Sequence, residues 1–294
     1  MAWIRDSTLS WFQLLCVKVI KAGKVPRHVA FIMDGNRRYA RKNNVLKAEG
    51  HNKGFDKLAE TLQWCLDLGI PEVTVYAFSI ENFKRTEDEV DALMELARQK
   101  FRRLLNEKEK LMEHGVRIRI IGNLSLLPHD VQKLIAEAML MTQENNKAFL
   151  NVAFAYTAHD EMTNAVRSLS IGVSEGLLLP SDISESLIDR SLYTSDSPDP
   201  DLVIRTSGEV RFSDFLLWQL SFSYVYFTEV LWPEFTIWHL LAAVFHYQRN
   251  YRHIEEIQSL HKPVEHTNER ISSYLTWLYG SREDTLLKLG GKLL

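Results

Sequence analysis

The chain has 294 residues, 46% of them hydrophobic and 25% charged, which is the balance of an ordinary globular protein and argues against general disorder. Its 35 Lys and Arg against 38 Asp and Glu leave a formal net charge of -3. That excludes nucleic acid as a bulk-electrostatic partner but leaves room for a local basic pocket. Two cysteines, Cys16 and Cys65, are too few for a disulfide framework or a structural zinc site, and they fit a reduced, cytosol-facing setting.

Residues 1–25 read as an N-terminal amphipathic helix. Its apolar run, Leu9–Ile20, is about 12 residues long and contains Gln13 and Lys18, short of the roughly 20 apolar residues a membrane span needs. Arg5 is neutralised by Asp6 and no small-x-small cleavage site follows, so a secretory signal fits poorly. Trp3, Trp11 and Phe12 suit a membrane interface, and the same pattern suits a helix packed on its own domain; both stay open.

Residues 26–250 alternate short β-rich runs with longer helical ones. Strands are expected at His28–Met33, Glu72–Phe78, Val116–Ile121, Phe149–Tyr156, Leu202–Arg205 and Val225–Thr228, several of them apolar at nearly every position, as strands covered on both faces are. Apolar residues at helical spacing predict helices over Phe55–Leu68 and over Glu87–His114, the second stopped by Gly115. Strands separated by helices predict a single α/β domain with a central, mainly parallel six-stranded sheet. The polar, proline-bearing stretch Ser195–Asp201 leads straight into a strand and reads as a loop. Residues 251–294 read as a polar helical tail with scattered Trp277, Leu286 and Leu289.

Ligands of open α/β sheets bind beyond the carboxyl ends of the strands. After the first strand stands Asp34-Gly35-Asn36-Arg37-Arg38, where the glycine admits close backbone approach and a helix N-terminus and two arginines favour an anion. After the second comes Ser79-Ile80-Glu81-Asn82-Phe83-Lys84-Arg85, and after the fifth Arg205 to Ser213, with Arg211 between them. One such loop alone is ordinarily a turn or a solvated strand end. Three together predict a site for two polyanionic groups. Asp34 would repel phosphate unless a cation stands between, and Mg2+ is the usual one. No Walker A or G-x-G-x-x-G loop is present.

The runs His28–Ala40 (HVAFIMDGNRRYA), Gly50–Phe55 (GHNKGF), Val75–Arg85 (VYAFSIENFKR), Asp201–Ser213 (DLVIRTSGEVRFS), Phe215–Gln219 (FLLWQ) and Leu231–Glu234 (LWPE) resemble, in order, the signature regions of the cis-prenyltransferases. RTSGE and the N-terminal helix resemble the eukaryotic catalytic subunits, the dehydrodolichyl diphosphate synthase type, more than the bacterial enzymes. The resemblance implies repeated condensation of isopentenyl diphosphate onto an allylic starter such as farnesyl diphosphate, with Mg2+, and a product that is the precursor of dolichol for protein glycosylation. It implies that Asp34 handles the metal and diphosphates, and that Gly35, Asn36, Arg37 and Arg38 hold the allylic diphosphate. It further implies that Arg205, Arg211 and Ser213 hold isopentenyl diphosphate with Arg85 near both, and that His51, Ser79 and Asn82 complete the site. The growing chain would need an apolar tunnel walled by the helices over Phe55–Leu68 and Glu87–His114.

Two departures from the family pattern stand out. Tyr224 occupies the place of a glutamate that bacterial members carry near the metal and substrate region. The Arg-x-Gly motif of their C-termini is also absent: Arg249, Arg252, Arg270 and Arg282 are followed two positions on by Tyr251, Ile254, Ser272 and Asp284. The resemblance implies that a second subunit, like the Nogo-B receptor, supplies that motif in a hetero-oligomer. A membrane-lipid product implies peripheral attachment at the cytosolic face of the endoplasmic reticulum. The alternative is a non-catalytic, isoprenoid-diphosphate-binding or regulatory subunit of the same fold, which the intact Asp34 disfavours.

Overall fold

Six short runs rich in β-branched and aromatic residues line up as one sheet: β1 (His28–Ile32), β2 (Glu72–Ser79), β3 (Val116–Ile121), β4 (Ala148–Tyr156), β5 (Leu202–Arg205) and β6 (Tyr224–Phe227). The computed structural model describes residues 9–260 and 268–291. The strand order is β3-β4-β2-β1-β5-β6, and all five pairings are parallel. Observed strand ends lie within one residue of the expected ones. Parallel neighbours require crossovers, and most of these are helical: α2 (Asn36–Lys42) and α3 (Lys47–Leu68), α4 (Glu87–Asn106) and α5 (Lys108–His114), α6 (His129–Met141), then α7 (Ala158–Ser174) with α8 (Glu185–Asp189). The chain runs from β1 to β2 on one side and later to β5 on the other. The carboxyl end of β1 is thus a topological switch point, where such sheets open a crevice.

Period-two alternation sends β1 side chains to both faces. Val29 and Phe31 join a large core with Leu58 of α3, Phe101 and Leu104 of α4, and Leu240 and Val244 of α9 (Ile237–Leu260). Ala30 and Ile32 join a smaller one with Tyr156, Phe215 and Leu216.

Two helices differ from expectation. α3 begins at Lys47, eight residues before the apolar repeat starts at Phe55. Gly50 and Gly54 weaken its intrinsic propensity, but contact with α2 outweighs that, as set out below. The stretch expected as one helix over Glu87–His114 breaks at Glu107 (φ -94°, ψ 22°), just after the weak helix former Asn106, and Leu104 and Leu111 are buried on either side of the break.

At the start of the described residues, α1 (Trp11–Lys21) opens with a Ser10–Gln13 capping box. It buries Val17 and is tied down by Lys21 Nζ donating to Asp67 O (3.0 Å) and Gln248 Nε2 donating to Ile20 O (2.8 Å). Trp11, Phe12, Leu15 and Val19 stay exposed; Trp3 lies outside the described residues. No described helix is long and apolar enough to cross a membrane. At the other end α9 runs unbroken across residue 250, and α10 (Glu269–Leu289) packs Ile271, Tyr274, Leu275 and Leu278 against Leu169, Leu178 and Leu187. Arg270 grips Asp182 through two 2.8 Å hydrogen bonds, and Arg282 donates to the carbonyls of Ser191 (2.6 Å) and Leu192 (2.9 Å).

Candidate active site

The carboxyl ends of β1, β2 and β5 face one pocket of about 580 Å³. It is lined by every residue singled out from the sequence: Asp34, Gly35, Asn36, Arg37, Arg38, His51, Ser79, Asn82, Arg85, Arg205, Arg211 and Ser213. Local chemistry explains their convergence. Gly35, in the left-handed region (φ +110°), turns the chain sharply from β1 into α2, so the first free N–H groups of α2 start beside Asp34. Asp34 is stapled across to β5's end: its N–H donates to Thr206 Oγ1 (3.1 Å), and the Thr206 hydroxyl donates to Asp34 O (2.8 Å). Ser79 and Asn82 form a capping box that closes the short 3-10 turn after β2 and presents Arg85.

Charge is arranged in two groups with Asp34 and Arg205 between them. Asp34 Oδ2 accepts from Arg205 Nη2 at 3.1 Å, with Arg38 Nη2 3.7 Å away. Arg205 is almost fully buried; its Nη1 donates to Ser213 Oγ (2.8 Å) and to the Arg211 carbonyl. Arg205 thus joins the Asp34 side to the Arg211–Ser213 loop. Arg38 also donates to Ser207 Oγ, and Glu209 links Arg38 (3.4 Å) with Arg211. Next to Arg85, Glu89 of α4 accepts from Arg85 (2.9 Å) and Lys47 (3.1 Å), with Arg37 at 3.7 Å. Burial works against its charge, but these three cations outweigh it and hold its carboxyl below the usual range. Burial, then the charges of Arg85 and Arg37, push His51 down to about 4, so its imidazole is neutral at physiological pH.

Behind the arginines the pocket turns apolar. His51, Asn36, Met33, Phe78 and Leu93 also line a second cavity of about 130 Å³, whose remaining wall includes Phe55 and Leu58 of α3, Ala97 and Phe101 of α4, and Phe154 of β4. His51 Nε2 and Asn36 Oδ1, two buried polar atoms with no protein partner, sit at the junction. The tightness there depends on glycine. A Cβ on Gly50 would lie 2.5 Å from Asn36 O, and one on Gly54 only 2.2 Å from Asn36 Oδ1. The GHNKGF run is therefore the face by which α3 meets α2.

Sequence reasoning overlooked four participants. Tyr76 and Glu209 line the pocket, Glu89 braces Arg85 and Arg37, and Thr206 anchors Asp34. Glu209 carried the same signal as Asp34, a carboxylate among arginines. Tyr76 was hidden inside a strand. Tyr224 stands at the amino end of β6, paired with Leu202, and does not line the pocket.

Residues 32–255 match the sequence profile of the family described as undecaprenyl diphosphate synthase. The chain is 60% identical over 261 residues to the human dehydrodolichyl diphosphate synthase complex subunit DHDDS, covering 89% of this chain and 78% of that one. It is 45% identical over 241 residues to the tritrans,polycis-undecaprenyl-diphosphate synthase (geranylgeranyl-diphosphate specific) of Pyrococcus horikoshii, covering 82% and 91%. Among solved structures, lavandulyl diphosphate synthase from Lavandula x intermedia, in complex with dimethylallyl diphosphate, superposes with a TM-score of 0.72 at 36% identity. That match covers 76% of this chain and 95% of that one. With the profile spanning most of the chain and relatives this similar over more than three quarters of their length, the chain belongs to the cis-prenyltransferase family.

Proposed function

We propose that the chain adds isopentenyl diphosphate units repeatedly to farnesyl diphosphate, making a long-chain polyprenyl diphosphate of the dehydrodolichyl type, the precursor of dolichol for protein glycosylation. The observation that carries this is the joint of two spaces. A pocket with five arginines shares His51, Asn36, Phe78 and Leu93 with the wall of an apolar cavity between α3 and α4. That shape fits an allylic diphosphate whose head lies on Gly35, Arg37 and Arg38 and whose tail enters the cavity. A second diphosphate then has Arg205, Arg211 and Ser213, with Arg85 facing both. The 60%-identical human relative is named as a subunit of a dehydrodolichyl diphosphate synthase complex, and the solved relative holds an allylic diphosphate on the same fold.

In this scheme the terminal alkene carbon of isopentenyl diphosphate attacks the allylic carbon that bears diphosphate. The leaving diphosphate departs with the electron pair, and a proton is lost from the isopentenyl unit to form the new double bond. The arginines stabilise the charge developing on the leaving group, and the two facing sites align the reacting carbons. Asp34 fits a divalent metal brought by substrate. It is a single half-buried carboxylate facing the pocket, and Mg2+ takes one or two carboxylates with phosphate oxygens and water as its other ligands. Among the described residues no group of three or more His, Cys, Asp or Glu could hold a metal alone. Bound there, Mg2+ would neutralise diphosphate charge as a Lewis acid.

Among the described residues, none lining the polar pocket lies beyond Ser213, and the tail arginines Arg270 and Arg282 are held by their own chain. This supports a second, Nogo-B-receptor-like subunit as the source of the Arg-x-Gly motif. The lipid product, together with exposed Trp11, Phe12 and Val19 beside Lys18, supports attachment to the cytosolic face of the endoplasmic reticulum. The test is incorporation of labelled isopentenyl diphosphate with farnesyl diphosphate and Mg2+, for the chain alone and with such a subunit. Activity only in the mixture is expected. Strong activity alone contradicts the partner, and none in either case contradicts the enzyme.

A further inference from the structure

The loop between β5 and β6 holds three left-handed non-glycine residues within four positions: Ser213 (φ +52°), Asp214 (φ +58°) and Leu216 (φ +49°). Such backbone is costly for residues with a Cβ and persists only where its surroundings enforce it. Asp214 supplies that enforcement at the first turn of α7. Its carbonyl accepts from Ala158 N (2.8 Å), and its Oδ1 accepts from His159 N (3.2 Å) and lies in hydrogen-bond contact with His159 Nδ1 (2.6 Å). A helix N-terminus has free N–H groups and favours a carboxylate, so the contact suits both partners. The neighbouring Ser213 is then fixed from two other sides. Arg205 Nη1 donates to its Oγ (2.8 Å), and Tyr76 OH, shared between the carbonyls of Tyr156 (3.1 Å) and Ser213 (3.3 Å), stands beside it while the Tyr76 ring stacks on Phe215 at 4.6 Å.

We propose that Asp214 is the positioning residue of the second diphosphate site, holding the Arg211–Ser213 loop against α7 so that the Ser213 hydroxyl and Arg205 face the pocket together. Asp214 does not itself line the pocket, and it acts through Ser213. The inference rests on the assignment of Arg205, Arg211 and Ser213 to isopentenyl diphosphate.

The test is calorimetric titration of isopentenyl diphosphate, and separately of farnesyl diphosphate, into the full chain paired with its second subunit and into three variants so paired. Asp214→Ala removes the carboxylate. Asp214→Gly removes it without strain at positive φ, so it folds even where alanine does not. Asp214→Asn keeps an oxygen for His159 N–H. Loss of one charge-assisted hydrogen-bonded anchor should weaken isopentenyl diphosphate about tenfold in the alanine and glycine variants. Asparagine should restore affinity to within about threefold, and farnesyl diphosphate should bind alike throughout. A purely structural role would weaken both ligands together and lower the melting midpoint in step. Unchanged isopentenyl diphosphate affinity in Asp214→Gly, or equal weakening of both ligands, overturns the inference while leaving the enzyme assignment standing. An unsubstituted chain that binds neither diphosphate contradicts that assignment and this inference with it.

Discussion

Replacing Gly50 by alanine tests the link from local packing to substrate binding. The added Cβ would lie 2.5 Å from the Asn36 carbonyl oxygen and 3.0 Å from Ala40 Cβ. The first is backbone, so no side-chain rotation relieves it, and α2 must move off α3 by about an ångström. Overpacking of this kind costs about 1–3 kcal/mol, and alanine's better helix propensity offsets about 1 kcal/mol of it. The net loss of about 0–2 kcal/mol lowers the melting midpoint by roughly 0–8 °C in a domain this size. The functional loss should be larger, because α2 carries Arg37 and Arg38 in its first turn. A misplacement of about 1 Å among positioning groups costs on the order of a hundredfold in rate. Steady-state kinetics with the second subunit present and farnesyl diphosphate varied, beside a thermal melt, should show kcat/KM down about a hundredfold in a folded protein. Unchanged kinetics, or a melting midpoint raised by the propensity gain alone, would refute the close α2–α3 contact as the device that seats the arginines.

Asp34→Asn removes the carboxylate from beside Arg205 and Arg38, so farnesyl diphosphate should bind no more weakly without metal, while turnover with Mg2+ falls about 10²–10³-fold; parallel calorimetry and incorporation assays check both halves. His51 sits below its ordinary 6.5, at about 4, so the unfolded chain binds its proton first as pH falls. Stability from this residue is complete above about pH 6.5 and is lost between there and about pH 4, about 3–4 kcal/mol in all. Urea unfolding at pH 4.5 and 7 should show that slope in the parent and a flatter one in His51→Gln. Ala97, buried in the apolar cavity wall, should shorten the product when changed to leucine, since the extra carbons occupy space the growing chain would use; chromatography of the labelled products reads this directly.

Fold class and pocket were both legible because the two signals are local. β-branched apolar runs mark strands buried on both faces, and the residues just beyond them are where parallel sheets place ligands. The start of α3 escaped because Gly50 and Gly54 look like helix breakers until Asn36 is set against them. The break at Glu107 escaped because the apolar repeat continues through it from Leu104 to Leu111. Glu89 and Asp214 act on other residues from separate elements. Apart from Arg85, four residues before Glu89, their partners lie far off in sequence: Glu89 meets Lys47 and Arg37, and Asp214 meets Ala158 and His159 of α7. The docking of α10 through Arg270 on Asp182 is likewise a pairing across 88 positions that periodicity does not reveal.

On the proposed function, two diphosphates lie side by side on two arginine groups joined by Arg205, with one hydrocarbon tail running between α3 and α4. A crystal structure of the chain with isopentenyl diphosphate, Mg2+ and an unreactive thio-analogue of farnesyl diphosphate tests it most directly. The analogue's diphosphate should rest on Gly35, Arg37 and Arg38 with its tail against Phe55, Ala97 and Phe101, and isopentenyl diphosphate should rest on Arg205, Arg211 and Ser213. A tail lying outside that cavity, or both diphosphates bound away from these arginines, would contradict the account.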